Sequence, residues 1–562
     1  MAGAVKVLSN ADVRVIDHGG TRAEAIAWRD GRIVAVGTND EVEAIAGDGS
    51  VVSDARGAVV LPGFIDPHHH PCIVALYGSS LRLTRPSVTD IPSLQRAIAA
   101  LAKTAKPGEW LVATEWDETN LAEHRAPTRA ELDDAAPGHP VFALHYSCHR
   151  AVASSKALEL AAIHKDTADP SGGAIERGRG GVPTGLLIER GICAVEQLAR
   201  ASLVATDGEG FLARLAAHHR AMAAGGITRV CDATVPGDLA TLYREASRRG
   251  MLTVPTVMMP VSVRGWLAEP WDVLDGPPTG EDDGMLSVGP VKLVFDGAPG
   301  CAMCLGWLQT AGVFLRSIAM TIGRGSLDPL RTSMSVEPRI GAQIRTGIQI
   351  YRRDEAKAVV AAAVERGFSV ATHAIGNEAV DVALEAYEAA KGSLDRAGLP
   401  RLEHATFLSP DLVDRIAGVG AAVVVQPYFT MLPALAGAAS IPGVRYSPLR
   451  WLLDAKVLVS GSSDHPVASF DPIAAIAAAV NRKTARGDVH EGDQRISIDE
   501  AIALYTRAAA AATGCLSQCG TLETGKRADL VVVDGSVDTE DGLATAKVRA
   551  TFIGGELVFG AP

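Results

Sequence analysis

Few aromatics, few cysteines and no long apolar run characterise this 562-residue chain. Phe, Trp and Tyr make up 5% of it, and cysteines number eight. Eight thiols in such a length do not form a disulfide framework. They lie at 72, 148, 193, 231, 301, 304, 515 and 519. Cys301 and Cys304 are spaced like half a zinc knuckle, but no second pair has that spacing, so buried or incidental thiols are expected. No Lys/Arg block interrupts a formal charge of −12, which argues against a nucleic-acid partner. The longest strongly apolar stretch, 311–322, contains Arg316 and is too short to span a bilayer. The N-terminus lacks a basic segment followed by a long apolar one, so no signal peptide is read there. A reduced, cytoplasmic setting is the expectation. No internal repeat or low-complexity tract stands out.

What the chain does have is apolar bulk. It is 47% hydrophobic, with 57 glycines. Such a chain suits parallel strands buried between helices. Both ends read as short strands: 5–8, 13–16, 25–29 and 32–36, then 528–533, 547–553 and 556–559. Asp30-Gly31 marks a hairpin. A small sheet built from both termini follows. The middle alternates apolar runs with Ala-rich helices. Strands are expected at 58–66, 226–232, 252–259, 288–296, 368–373, 401–404, 421–426 and 457–464. Helices are expected at 211–224, 354–366, 377–392 and 410–417. Eight strands alternating with helices suggest a (β/α)8 barrel within an α/β fold. The expected division is a β-sandwich from 1–60 and 520–562, and a barrel over 61–519. Residues 80–205 form an inserted subdomain after the first barrel strand. Residues 298–350 form either a lid or a buried helix or dimer contact. Cys301, Met303, Leu305, Trp307, Phe314, Ile318 and Met320 supply its apolar surface.

The sharpest motif is Leu61-Pro-Gly-Phe-Ile-Asp-Pro-His-His-His70. In a strand, His68 and His70 share one face and His69 takes the other. Alone, three histidines are as easily a surface turn. His373, His404 and Asp464, however, also end strand candidates. The C-terminal ends of barrel strands are where barrel chemistry sits, so five such residues together point to a metal site.

These residues resemble the amidohydrolase superfamily, and within it the amidohydrolase-3, YtcJ-like hydrolases. The resemblance runs nearly end to end. It is carried by Gly63-Phe-Ile-Asp-Pro-His-His-His70, Val291-Lys292-Leu with Asp296-Gly297, His373-Ala-Ile-Gly-Asn377, Glu403-His404-Ala405, Ser463-Asp464-His465-Pro466-Val467 and Gly525-Lys526-Arg-Ala-Asp-Leu530. Asp169-Pro-Ser-Gly-Gly173 and Thr184-Gly-Leu-Leu-Ile-Glu189 add to it. It implies a (β/α)8 barrel with a composite sandwich. It also implies two divalent metal ions, most simply zinc, held by His68, His70, Lys292, His373, His404 and Asp464, with Lys292 carboxylated as the bridge. The alternative for Lys292 is a strand-end lysine paired with an acid.

On that resemblance a metal-activated hydroxide attacks an amide-like C–N bond, and Asp464 acts as general base and then acid. Two alternatives stand beside it: a mononuclear deaminase on the same fold, and a non-catalytic relative with an assembly or regulatory role. A deaminase would want a glutamate soon after His373, and Glu378 fits that register poorly. His145, His149, Glu189 and Arg445 are candidates for substrate contact. For His145 and His149 a helix start near Ser147 is the competing reading. His465 should point away. The expected partners are a small amide-like substrate and a second copy of the chain, a dimer favoured, with neither nucleic acid nor membrane.

Overall fold

The computed structural model describes residues 3–47, 49–280, 284–297, 301–306, 337–339, 343–432 and 441–562. Most of the 298–350 stretch, including Trp307, Phe314, Ile318 and Met320, lies outside the described residues. Of that stretch, Met303 and Leu305 pack with Val444.

Eight parallel strands carry the site: β1 (Phe64–His69), β2 (Ile227–Pro236), β3 (Thr256–Val261), β4 (Val291–Val294), β5 (Val370–Ala374), β6 (Arg401–His404), β7 (Ala422–Val425) and β8 (Val459–Gly461). They form two sheets. One runs β1-β2-β3 and continues into Leu286–Val288. The other runs β4-β5-β6-β7-β8. Val/Ile/Leu/Ala-rich strands such as Ala422–Val425 are buried at every position, as parallel strands covered on both faces must be. The sheets adjoin at both edges: Asp464 N–H donates to His68 O at 2.8 Å, and the chain passes directly from Leu286–Val288 through Gly289-Pro290 into β4.

Two expected strands divide. The run 58–66 becomes Val59–Pro62 and β1, in different sheets. Gly63 separates them, and a Cβ there would lie 2.2 Å from Thr228 Cγ2. Val59–Pro62 pairs antiparallel with Leu530–Asp534, tying the C-terminal strands to the start of β1. The run 288–296 likewise breaks at Gly289-Pro290, because Pro290 has no N–H to give a ladder. Helices follow the strands at Arg353–Glu365, Asn377–Ala397 and Pro410–Val419. The helix expected over 211–224 is the second half of Cys193–Ala224, which kinks at Asp207.

Residues from both termini build a four-stranded and a six-stranded sheet, sharing a core of Leu8, Ile26, Trp28, Val60, Val532 and Phe552. The stretch between β1 and β2 builds its own six-stranded sheet, including Leu111–Trp116, Val141–His145, Arg150–Ala153 and Pro183–Glu189. Phe142 and Leu144 of that sheet share one apolar core with Ile73, Leu215 and Val235. Each fully buried side chain of that size contributes roughly 1.5–3 kcal/mol, enough to fix the inserted sheet against the strand ends.

Candidate metal centre

His68, His70, Lys292, His373, His404 and Asp464 come from β1, β4, β5, β6 and the residues just after β1 and β8, and all line one cavity of about 110 Å³. Period-2 placement acts as expected. His68 Nε2 lies 3.3 Å and His70 Nε2 2.9 Å from the same Asp464 oxygen. His69 turns the other way, to Asp66 and His218. The His68 and His404 rings are 4.9 Å apart, and those of His373 and His404 4.5 Å apart. Lys292 Nζ stands 3.4 Å from His68 Nε2.

The hydrogen bonds behind the imidazoles set their tautomers. His68 Nδ1 lies 2.5 Å from Glu403, His70 Nδ1 3.0 Å from the Thr234 hydroxyl, and His404 Nδ1 2.8 Å from the Gln426 carbonyl oxygen. A carboxylate and an amide oxygen can only accept, so at His68 and His404 Nδ1–H is the donor and the Nε2 lone pair is left for the cavity. This is the arrangement of metal-ligating histidines. His70 Nε2 and an Asp464 oxygen, 2.9 Å apart, face each other across the cavity. His373 Nε2 is buried with no hydrogen-bond partner. Donor atoms of His68, His404 and Asp464 lie within 4.8 Å of one another. The residues fit a divalent cation.

Electrostatics agree. Burial, with His68 beside it, pushes His404 down to about 3, so it is neutral. Burial also drives His373 well below its ordinary value. Burial raises Asp464, but His68 and His70 outweigh it and hold the carboxyl well below the usual range. Lys292 is pushed down to about 8 by burial, against the pull of Glu403 and Asp464. His404 and Asp464 have φ of +74° and +55°. Such strain costs of order 1–3 kcal/mol per residue and gathers at functional sites.

His149 reaches the cavity wall, and Glu189 stands behind it at 2.7 Å from Nδ1. Burial opposes a charge on His149, but Glu189 outweighs it and raises the imidazole. A Cβ on Gly297 would lie 2.1 Å from Glu189 Oε1, which explains a glycine after Asp296. His145 and Arg445 are not among the described cavity residues. His145 Nε2 is engaged by Glu118, and Arg445 pairs with Asp493 over the Trp451 ring. Glu378 is buried against Arg345 and Arg353 and is not among the described cavity residues. Sequence reasoning missed Glu403, Gln426, Thr234, Trp266 and Phe429. Only Glu403 had a signal: it shares a strand face with Arg401, which holds it at 2.8 Å. A larger cavity of about 600 Å³ lies between the terminal strands and the 498–512 helices, but it has no convergent imidazoles.

A parallel α/β scaffold with a histidine-rich centre at its strand ends defines the class of protein. The chain belongs to the amidohydrolase family, whose model matches residues 51–559. It is 30% identical over 558 residues to the N-substituted formamide deformylase of Arthrobacter pascens, covering 98% of this chain and 97% of that one. It is 25% identical over 567 residues to YtcJ of Bacillus subtilis (strain 168), a candidate amidohydrolase, covering 96% of each. A solved metal-dependent hydrolase from Pyrococcus horikoshii OT3 shares the fold at a TM-score of 0.67 and 21% identity, over 95% of this chain and 98% of that one. Among the described residues no helix is long and apolar enough to cross a membrane.

Proposed function

We propose that this protein is a metal-dependent hydrolase of small amide-like C–N bonds, working in the cavity at the ends of β1, β4, β5, β6 and β8. The observation that carries the reading is the set of imidazoles whose Nδ1 atoms are committed behind the cavity and whose Nε2 atoms converge within it. We read the two parallel sheets, which meet at both edges, as one closed (β/α)8 barrel over 61–519, with the terminal sheets as a sandwich of 1–60 and 520–562 lengthened to Pro62.

Two zinc ions would be held by His68, His70, His373, His404 and Asp464, with a carbamate on Lys292 as their anionic bridge. Bound there, they would lower the pKa of water toward neutrality and polarise the substrate carbonyl. A neutral lysine amine is the form that reacts with CO2, and burial of Lys292 favours it. Asp464 accepts the proton of the attacking water and returns it to the leaving nitrogen. His149, held through Nδ1 by Glu189, keeps Nε2 for the carbonyl oxygen. Ile73, Trp266, Val294, Ile375 and Phe429 wall the cavity and exclude water around the acyl group. Its volume suits a short acyl group, and the relative from Arthrobacter pascens is named for N-substituted formamides.

A panel of N-acyl amides, from formyl to long acyl, tests the reading against the Lys292→Ala protein. Hydrolysis is expected for short acyl groups in the wild type and should fall by at least about 10²-fold in the variant. Equal activity in the two proteins would sink the bridging lysine.

A further inference from the structure

Residues 146–149 form a loop that gives the cavity three wall residues: Ser147, Cys148 and His149. Cys148 takes φ +62°, a conformation that a free loop would leave. One side chain holds both ends of this loop. The Glu118 carboxylate accepts from His145 Nε2 at 3.1 Å on one oxygen and from Arg150 NH1 at 2.6 Å on the other. His145 and Arg150 are both buried.

The chain of bonds continues to the cavity. Ser147 N–H donates to His145 Nδ1 at 3.2 Å. That nitrogen therefore carries the lone pair, and the proton sits on Nε2, facing Glu118. Ser147 Oγ–H also donates to Nδ1, at 2.8 Å, while its oxygen accepts from His149 N–H at 3.4 Å. His149 then turns its ring to Glu189.

We propose that Glu118 is a positioning residue, which fixes the tautomer of His145 and pins the loop ends so that His149 faces the metal ligands. This rests on the hydrolase reading for its effect on rate, but not for its effect on the loop. Asp117, Glu118 and His145 also group as a cation site would. Arg150 already neutralises Glu118, however, and Asp117 accepts from Thr119 and Asn120. The cluster is a clamp.

Two measurements on the full chain test this. The first is hydrogen–deuterium exchange across 141–153 in the wild type, Glu118→Gln and Glu118→Ala. A neutral amide has a single acceptor oxygen, so Gln cannot hold His145 and Arg150 on two separate oxygens as Glu118 does. Exchange should rise at 146–149 in both variants and stay unchanged in the strands on either side. The second is kinetics on the best amide of the panel. Displacing His149 should lower kcat/KM by about tenfold to a hundredfold, with metal content unchanged. Adding Glu118→Ala to His149→Ala should then cost less than about twofold, because both act through one side chain. Unchanged exchange at 146–149 would overturn the proposal, as would losses that multiply in the double variant. A wild type that hydrolyses no amide would instead remove the functional reading, and the exchange result would still decide the clamp.

Discussion

Glu403 lies fully buried and yet stays a carboxylate. Burial pushes it up, but Arg401 and His68 outweigh that and hold it at about 2. Its charge keeps the His68 proton on Nδ1 and the lone pair on Nε2. Replacing it by Gln removes the charge but not the shape. Zinc affinity in Glu403→Gln should fall by about 10- to 100-fold, read by competition with a chromophoric chelator. Unaltered affinity would remove its role in orienting His68. At this scale the site was partly legible. His68, His70, His373, His404 and Asp464 each lie at or just after the end of a strand, and a period of two puts His68 and His70 on one face. Gln426, Thr234 and Glu118 were not legible, because their partners lie 22 to 164 positions away and only the closed fold joins them.

At the scale of elements, the helix Cys193–Ala224 buries His218 and His219 behind β1. Burial, with His69 and His465 close by, pushes His218 down to about 2, and burial with His218 beside it pushes His219 down to about 3. Both therefore bind protons in the unfolded chain before they bind them in the folded one. The sign follows: stability is fully present above the unfolded value, about 6.5, and is lost as pH falls below it. Each histidine should cost up to about 1.4 kcal/mol per pH unit in that window. The thermal midpoint of the wild type should drop from pH 7.5 to pH 5.5, and His218→Gln should drop less. Equal drops would contradict the assignment. Strand and helix positions read well from the sequence, as at Arg401–His404 and Pro410–Val419. The breaks at Gly63 and Gly289-Pro290 did not, because a continuous apolar run does not show where a chain passes from one sheet to another.

The whole molecule uses its length to bring a second layer of residues to the strand ends. The inserted sheet and its loops carry His149, Glu189 and Glu118, while the parallel strands carry the candidate metal ligands. The two share one apolar core. The candidate metal ligands were visible as motifs because each belongs to a single strand end. The clamp of Glu118 on His145 was not, because it forms within a different sheet and only the fold closes it. The account stands or falls on whether the convergent imidazoles hold the metal that hydrolysis needs. Elemental analysis of the purified protein, paired with amide hydrolysis before chelation, after it and after zinc is restored, tests this most directly. The expected result is about two zinc ions per chain, with hydrolysis lost on their removal and regained on their return. Full hydrolysis by protein stripped of metal would contradict it.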